Sequence, residues 1–202
     1  MSLESSSLTP SQDANRNSIL EAARDLFARY GFKKTTMEDI AMALRKGKSS
    51  LYYYFKNKEE IFQAVIGLES EILFTKLNDV VKSEGNAQVK LRNYVIVRME
   101  TISELPNYQK VLKEDFYGDY EFLGAYKMEG ETLEEEFIQS ILEEGVRNGV
   151  FSIKDTKLGA TSIVITLRGL EIPLFRRSLS VQELGVQLDN ILNILFYGLV
   201  KH

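Results

Sequence analysis

The sequence of 202 residues contains no cysteine and no tryptophan, and only three prolines. Without cysteine there is no disulfide framework, no Cys-ligated metal site and no thiolate nucleophile. The single histidine is the C-terminal residue His202, so histidine general bases and histidine metal sites are almost excluded. We therefore expect no catalytic residues, no cofactor and no metal, and we do not expect an enzyme.

Long apolar runs are also missing. The most hydrophobic stretches, residues 163–165 and 191–200, are too short to span a bilayer. The serine-rich N-terminus lacks the basic and apolar regions of a secretion signal. We therefore predict a cytoplasmic protein in which residues 1–14 form a disordered leader.

Composition and charge indicate an all-α fold with a basic N-terminal part. Hydrophobic residues make up 44% of the chain, and Glu, Lys, Leu and Ala, which favour helices, dominate long stretches. Residues 1–58 hold ten basic and six acidic residues, a balance of +4, whereas the rest holds 15 basic and 23 acidic residues, a balance of −8. This asymmetry suggests that only the N-terminal part contacts a polyanion.

Residues 15–58 have the pattern of three short helices. The first, residues 15–30, has an apolar stripe and ends at Gly31, a residue suited to a left-handed cap. Thr35 or Thr36 begins the second helix with an acidic residue three positions later, which is the pattern of a capping box. Gly47 then supplies a turn before the third helix.

The third helix, residues 48–55, carries three consecutive tyrosines. Leu51 and Phe55 share one face and are predicted to be buried, so the tyrosines cannot all be core residues. Two short helices joined by a tight turn, the second rich in Lys, Ser and Tyr, are typical of a helix-turn-helix DNA reader. The alternative is a structural three-helix subdomain with solvated tyrosines.

Residues 19–66 carry a series of short motifs in a fixed order. They are Ala22-Ala23, Leu26-Phe27, Gly31-Phe32, Thr35-Thr36, Asp39-Ile40-Ala41 and the block from Leu51 to Phe62, of which residues 51–58 are the most specific part. With these motifs the stretch resembles the tetracycline-repressor-like (TetR) family of bacterial transcription regulators. The resemblance implies DNA contacts from Lys48, Ser49, Ser50, Tyr52, Tyr53 and Tyr54, and phosphate contacts from Thr35 or Thr36 and from Lys58.

The turn departs from the family pattern. Leu44-Arg45-Lys46-Gly47 stands where family members usually have Ala-Gly-Val-Ser. Glycine at a helix N-cap costs only a few tenths of a kcal/mol relative to serine, so that change is mild. Lysine in place of a buried valine is not mild. Our hypothesis is that the turn forms around Gly47 and that Lys46 points outward to add a phosphate contact.

Residues 59–202 have a helical pattern, and the resemblance implies that they form a ligand-binding and dimerisation domain. Two apolar helices, near residues 156–175 and 181–201, suggest a subunit interface, although burial in a monomer core is the alternative. In the resembling family such helices pair two subunits, and a homodimer suits a palindromic operator. The candidate interface residues are Leu158, Ile163, Leu167, Leu188, Ile191 and Leu195.

The resemblance implies a pocket for a small-molecule effector inside the C-terminal helices. An aromatic and methionine-rich set would suit an apolar ligand there, although such a stripe is more often core. The set comprises Tyr94, Met99, Phe116, Tyr117, Tyr120, Phe122, Tyr126 and Met128. The segment 108–130 is the least regular part of the helical pattern and is our candidate for the pocket wall. The resemblance implies a repressor that a ligand releases from DNA.

Two other functions remain open from the sequence. An all-helical enzyme would have to use carboxylates such as Glu134, Glu135 and Glu136, although adjacent glutamates are usually a solvated face. A helical protein-interaction module with a non-functional DNA reader is supported only by the altered turn. Salt-dependent DNA binding separates the regulator from both alternatives.

Overall fold

In the computed structural model, residues 10–114, 120–176 and 181–197 are described, and all regular elements in them are helices, which confirms the predicted all-α fold. The α-helices of these ranges are α1 (Pro10–Tyr30), α2 (Met37–Ala43), α3 (Lys48–Tyr52), α4 (Lys58–Lys82), α5 (Ala87–Glu104), α6 (Pro106–Glu114), α7 (Gly124–Arg147), α8 (Thr156–Arg176) and α9 (Val181–Tyr197). A short 3-10 helix, Glu121–Leu123, precedes α7. None of the helices in the described ranges has the length and apolarity needed to cross a membrane.

The chain divides into two compact units, residues 1–69 and residues 70–202. The boundary predicted from the sequence lies earlier, after Lys58. The first unit extends further because the first half of α4 contributes Ile61, Phe62, Val65 and Ile66 to its core. Helix α4 is therefore shared by the two units, and the start of its apolar pattern does not mark where the first unit ends.

The first unit has a small core in which each helix buries one face. Helix α1 ends at Gly31, which has a φ of +84°, as the sequence predicts for a left-handed cap. The rings of Phe27 and Phe62 meet edge to face with centroids 5.0 Å apart, and Phe32 packs 4.8 Å from Phe62. The other buried apolar residues are Ile19, Leu20, Ala23, Met37, Ile40, Ala41, Leu51 and Phe55.

Helix α1 begins at Pro10, so residues 10–14 are helical rather than part of the predicted leader. Proline is favoured in the first turn of a helix because its fixed φ suits the helix and its missing N–H would have no partner there. The first two turns are polar and carry no apolar stripe, which is why the sequence pattern places the start later.

The second unit is a bundle in which α7 packs along α8, and α5 contacts α6, α7, α8 and α9. Pro106 ends α5, as predicted, but it also begins α6. Residues 108–114 and 121–130 are therefore helical, although the sequence pattern there is irregular. The core includes Leu73, Leu77, Leu91, Tyr94, Val95, Met99, Ile102, Ile138, Ile141, Leu142, Val164, Leu167, Leu188 and Leu192.

Gly145 allows the aromatic ring of Phe151 to close the end of α7. The backbone N–H groups of Val150 and Phe151 both donate to the Gly145 carbonyl, at 2.8 and 3.1 Å. A Cβ on residue 145 would lie 2.6 Å from Cε2 and 2.9 Å from Cγ of Phe151, closer than atoms can pack.

We expect Gly145→Ala to destabilise the protein by about 1–2 kcal/mol. Overpacking costs about 1–3 kcal/mol, and this exceeds the gain of about 0.5–1 kcal/mol from alanine in a helix. Urea unfolding measures the change. In a Phe151→Ala background the same substitution should be neutral or stabilising, and an equal loss in both backgrounds would contradict the assignment.

Candidate DNA-binding site

Helix α2 begins with the capping box that the sequence predicts, and Thr36 is its N-cap. The Asp39 backbone N–H donates to Thr36 Oγ1 at 3.2 Å, while the Thr36 N–H and hydroxyl donate to Asp39 Oδ2 at 2.8 and 2.7 Å. The hydrogen bonds from the Thr36 hydroxyl and N–H lower the pKa of Asp39. The contribution of this cap to stability is therefore present above the ordinary pKa of Asp39 and is lost as the pH falls through the lowered one.

The two threonines predicted as alternatives have different environments. Thr35 is 2% exposed, and its hydroxyl donates to the Gly31 carbonyl at 2.9 Å. Thr36 is exposed at the start of α2. Thr35 is therefore a structural residue. Thr36 is the accessible one of the two, but a phosphate would have to compete with Asp39 for its hydroxyl and N–H.

The turn after α2 forms around Arg45, not around Gly47 as the sequence hypothesis had it. Arg45 has a φ of +53°. Its N–H donates to Met42 O at 3.0 Å, and the Lys46 N–H donates to Ala41 O at 2.9 Å, which together make a Schellman motif. Gly47 is instead the extended N-cap of α3. Arginine thus occupies the left-handed position at which the family usually has glycine.

Lys46 does not point outward, so the second part of the turn hypothesis is also wrong for this structure. Its ammonium donates to Asn15 Oδ1 on α1 at 2.7 Å, and the side chain is half-buried. The aliphatic stem of a lysine can be partly buried while its charged end reaches a polar partner, and here that partner is the side-chain amide of Asn15.

We expect Arg45→Gly to raise the free energy of unfolding by about 0.5–1 kcal/mol. The left-handed conformation costs a residue with a Cβ about 1–2 kcal/mol, which glycine avoids. About 0.4–1 kcal/mol of this gain is lost, because glycine gives the unfolded chain more conformational freedom. Arg45→Ala is the matched control, because it removes the same side chain but keeps the Cβ. If both variants unfold at the same urea concentration, any change in stability comes from removing the arginine side chain and not from relieving backbone strain at residue 45.

Helix α3 presents most of the predicted contact residues to solvent. Leu51 and Phe55 are buried against the core, as the sequence predicts. Tyr52 and Tyr53 are 52% and 66% exposed, whereas Tyr54 is half-buried and packs edge to face on Tyr53 with centroids 4.9 Å apart. Lys48 and Ser49 are exposed, and Ser50 is half-buried. The helix ends at Tyr52, earlier than predicted, with Tyr53 as its C-cap.

Two of the predicted phosphate-binding lysines have partners within the chain. Lys58 donates to the Phe32 carbonyl at 2.8 Å, and its ammonium lies 4.3 Å from the centroid of the Phe32 ring. Lys58 therefore links the segment after α1 to the start of α4. Lys48 forms an ion pair with Glu38 of α2, and both side chains are about half exposed. A phosphate must compete with these partners.

Sequence reasoning missed two residues of α1 that contact the reading helix and the turn. Gln12 Nε2 donates to Tyr53 Oη at 2.7 Å, and Asn15 accepts from Lys46 as described above. Both precede the apolar residue Ile19 by helical spacing. Extending the apolar stripe backward by two turns would have identified them.

The predicted effector residues of the second unit are divided between core and surface. Tyr94, Met99 and Tyr120 are buried, whereas Tyr126 and Met128 are exposed and cannot line an internal pocket in this structure. Phe122 is half-buried, and Phe116 and Tyr117 lie outside the described residues. The apolar spacing that suggested these residues does not say which side of a helix faces inward.

A buried polar cluster lies beside Tyr94. Arg98 and Glu134 form an ion pair with Nε–Oε1 at 2.7 Å and Nη2–Oε2 at 3.2 Å, and their side chains are 1% and 2% exposed. Burial, followed by the charge of Glu134, raises the pKa of Tyr94 well above its usual value. Within the described part of the chain, the Tyr94 hydroxyl has no hydrogen-bond partner.

The predicted interface residues are also divided. Leu158 is 63% exposed on α8, whereas Leu167 and Leu188 are buried in the core of the second unit and cannot contact a second chain. Ile163 and Ile191 are half-buried, and the side chain of Leu195 lies outside the described residues. Exposed apolar residues that sequence reasoning missed are Ile165 on α8 and Val186, Ile194 and Tyr197 on α9. Both helices therefore have an apolar face toward the core and a second one toward solvent.

Comparisons with known proteins agree with an N-terminal DNA-binding unit in an all-helical chain. Residues 19–65 match the family described as "Bacterial regulatory proteins, tetR family". The chain is 30% identical over 147 residues to the HTH-type transcriptional repressor KstR2 of Rhodococcus jostii, covering 71% of each chain. It is 26% identical over 156 residues to the HTH-type transcriptional regulator QacR of Staphylococcus aureus, covering 73% of this chain and 81% of QacR.

Among solved structures, the transcriptional regulator FadR from Bacillus subtilis in complex with stearoyl-CoA is similar in fold. The TM-score is 0.75 at 19% identity, and the alignment covers 91% of this chain and 99% of the other.

Proposed function

The chain belongs to the tetR family of bacterial regulatory proteins and is a DNA-binding transcription regulator, and from that premise we propose that it is a repressor of a specific operator. In this proposal a homodimer binds a palindromic DNA site in the cytoplasm, and a small molecule bound in the second unit releases it. The role is binding rather than catalysis, since Glu134, the first of the three glutamates of the enzyme alternative, is held in a buried ion pair.

The observation that carries the proposal is the exposed surface of α3. Lys48, Ser49, Tyr52 and Tyr53 face solvent while Leu51 anchors the helix in the core. Lysine and tyrosine can bind phosphates, and serine and tyrosine can reach base edges in the major groove. The turn before α3 is a complete Schellman motif, which supports a working reader over an interaction module with a non-functional one.

The second apolar face of α8 and α9 supports the homodimer. Leu158, Ile165, Val186 and Ile194 are each at least half exposed in the single chain. Exposed apolar residues concentrated on two helices are typical of a subunit interface. Two reading helices would then contact half-sites about one turn of DNA apart.

The buried cluster of Tyr94, Arg98 and Glu134 supports a ligand site in the second unit. A hydroxyl buried in an apolar core is costly unless it is hydrogen-bonded, and an acceptor on a ligand would satisfy it. A long-chain acyl-CoA is a reasonable first compound to test, since FadR of Bacillus subtilis is solved with stearoyl-CoA. Such a ligand must prefer the DNA-free arrangement of the dimer to release it.

Selection from a random duplex library tests the DNA-binding part of the proposal. We expect the wild-type protein to enrich a palindrome with half-sites about one helical turn apart. A Tyr52→Ala/Tyr53→Ala variant, folded by circular dichroism, should enrich no sequence. Enrichment of the same palindrome by both proteins would show that α3 is not the reading helix.

A further inference from the structure

One face of the first two turns of α1 makes three contacts with the reading element, by which we mean the turn, α3 and the residues that follow it (residues 45–55). The residues on it are Gln12, Asn15 and Arg16. Gln12 Nε2 donates to Tyr53 Oη at 2.7 Å, Asn15 accepts from Lys46 Nζ at 2.7 Å, and the Arg16 guanidinium lies 5.2 Å from the centroid of the Phe55 ring. The three contacts reach the turn, the C-cap of α3 and the residue that anchors its end.

These three residues continue the buried face of α1. Positions 12, 15 and 16 are followed at helical spacing by Ile19 and Ala23, which are fully buried. The same face is thus apolar where it meets the core and polar where it meets the reading element. Two of the three side chains that the polar part contacts, Lys46 and Tyr53, are among those predicted to contact DNA.

The Gln12 contact determines which hydrogen-bonding group Tyr53 offers to DNA. A tyrosine hydroxyl has one hydrogen and two lone pairs, whereas the amide nitrogen of glutamine can only donate. The Tyr53 oxygen therefore accepts from Gln12 and keeps its own hydrogen. No acceptor in the described part of the chain takes that hydrogen, and the side chain is 66% exposed.

We propose that Gln12 is a positioning residue that holds the Tyr53 hydroxyl as a hydrogen-bond donor toward DNA. Tyr53 then binds a phosphate oxygen or an acceptor on a base edge, such as guanine N7 or O6 or thymine O4. Gln12 itself acts only through Tyr53. The inference rests on the proposed function, because it requires that α3 contacts DNA.

A double-mutant cycle tests the proposal. The probe is the duplex that the wild-type protein selects from a random library, and the proteins are wild type, Gln12→Ala, Tyr53→Phe and the double variant. We expect Tyr53→Phe to weaken binding about tenfold and Gln12→Ala about threefold. In the Tyr53→Phe background, Gln12→Ala should change the affinity by less than about twofold, because the group that it positions is absent. Asn17→Ala, an exposed polar residue on another face of the same two turns, should leave affinity unchanged.

Gln12→Glu tests the same proposal independently. A carboxylate can only accept, so it takes the Tyr53 hydrogen and leaves lone pairs facing DNA. We expect a loss of about tenfold when Tyr53 is present and a much smaller loss in the Tyr53→Phe background, where only the added charge acts. Thermal melting of each variant establishes that all are folded.

The results distinguish failure of the Gln12 proposal from failure of the proposed DNA-binding function. If Gln12→Ala weakens binding equally in both backgrounds, Gln12 acts independently of Tyr53 and the proposal is overturned while the DNA-binding function stands. If the wild-type protein selects no sequence, the proposed function fails and the inference fails with it. Equal losses from Gln12→Ala and Asn17→Ala would also overturn it, since the effect would then belong to the helix rather than to the contact.

Discussion

Replacing Arg98 with methionine should lower the free energy of unfolding by about 3–5 kcal/mol, the cost of leaving one partner of a buried ion pair without the other. Arg98 and Glu134 are 1% and 2% exposed and share two hydrogen bonds. Methionine keeps much of the volume of the arginine stem but leaves the Glu134 carboxylate buried without its main cation. Urea unfolding followed by circular dichroism measures the loss.

The double variant Arg98→Met/Glu134→Leu is the control. Replacing both partners by apolar residues of similar size is often neutral or stabilising, so most of the lost stability should return. If the double variant is as unstable as Arg98→Met, the loss comes from disturbed packing in the core and not from an isolated charge. The recovered double variant also allows a ligand test, because it removes the buried ion pair beside Tyr94 from a folded protein.

Replacing Ile165 with lysine on α8 should convert the proposed homodimer to a monomer and weaken binding to the proposed operator by about a hundredfold or more. Ile165 is 65% exposed in the single chain, and a charge buried in a subunit interface is strongly unfavourable. A monomer brings one reading helix to the operator instead of two, and linkage of two binding modules is worth about 10²–10⁴ in affinity. Sedimentation velocity measures the mass, and titration against the selected palindrome measures the affinity.

Met128→Lys is the matched control for this prediction. Met128 is 71% exposed on α7 and receives the same charge in the same unit. We expect it to stay dimeric and to bind the palindrome as tightly as the wild-type protein. A dimer that persists in Ile165→Lys at micromolar concentration would show that the outward face of α8 is not the subunit interface.

Local signals in the sequence predict much of the first unit. Gly31 is a left-handed cap because glycine adopts that backbone without strain. Thr36 and Asp39 form the capping box because their spacing matches the geometry of a helix start. Leu51 and Phe55 are buried because they lie four residues apart and the Phe55 N–H donates to the Leu51 carbonyl, although the helix itself ends at Tyr52. Tyr52 and Tyr53, which lie between them, are left to solvent. Each of these predictions depends on neighbours within four residues.

The features that sequence reasoning misplaced depend on hydrogen bonds and packing that the pattern of residue types does not show. Arg45 rather than Gly47 takes the left-handed position, because the Schellman hydrogen bonds of α2 fix the turn one residue after its C-cap. Lys46 turns inward because Asn15, 31 positions earlier in the chain, offers it an acceptor. Leu167 and Leu158 are on one apolar helix, yet only the packed structure distinguishes the core face from the exposed face.

The most direct test of the proposed function is to measure how DNA binding by the wild-type protein and by Tyr53→Ala depends on salt. The DNA is the sequence that flanks the protein's own gene. We expect tight wild-type binding that weakens steeply as salt rises from about 50 to 200 mM, because phosphate contacts release counterions. Tyr53→Ala should bind at least about tenfold more weakly at each salt concentration. If the two proteins instead bind with equal, weak affinity to this DNA and to a duplex of scrambled sequence, α3 does not read an operator and the central claim is wrong.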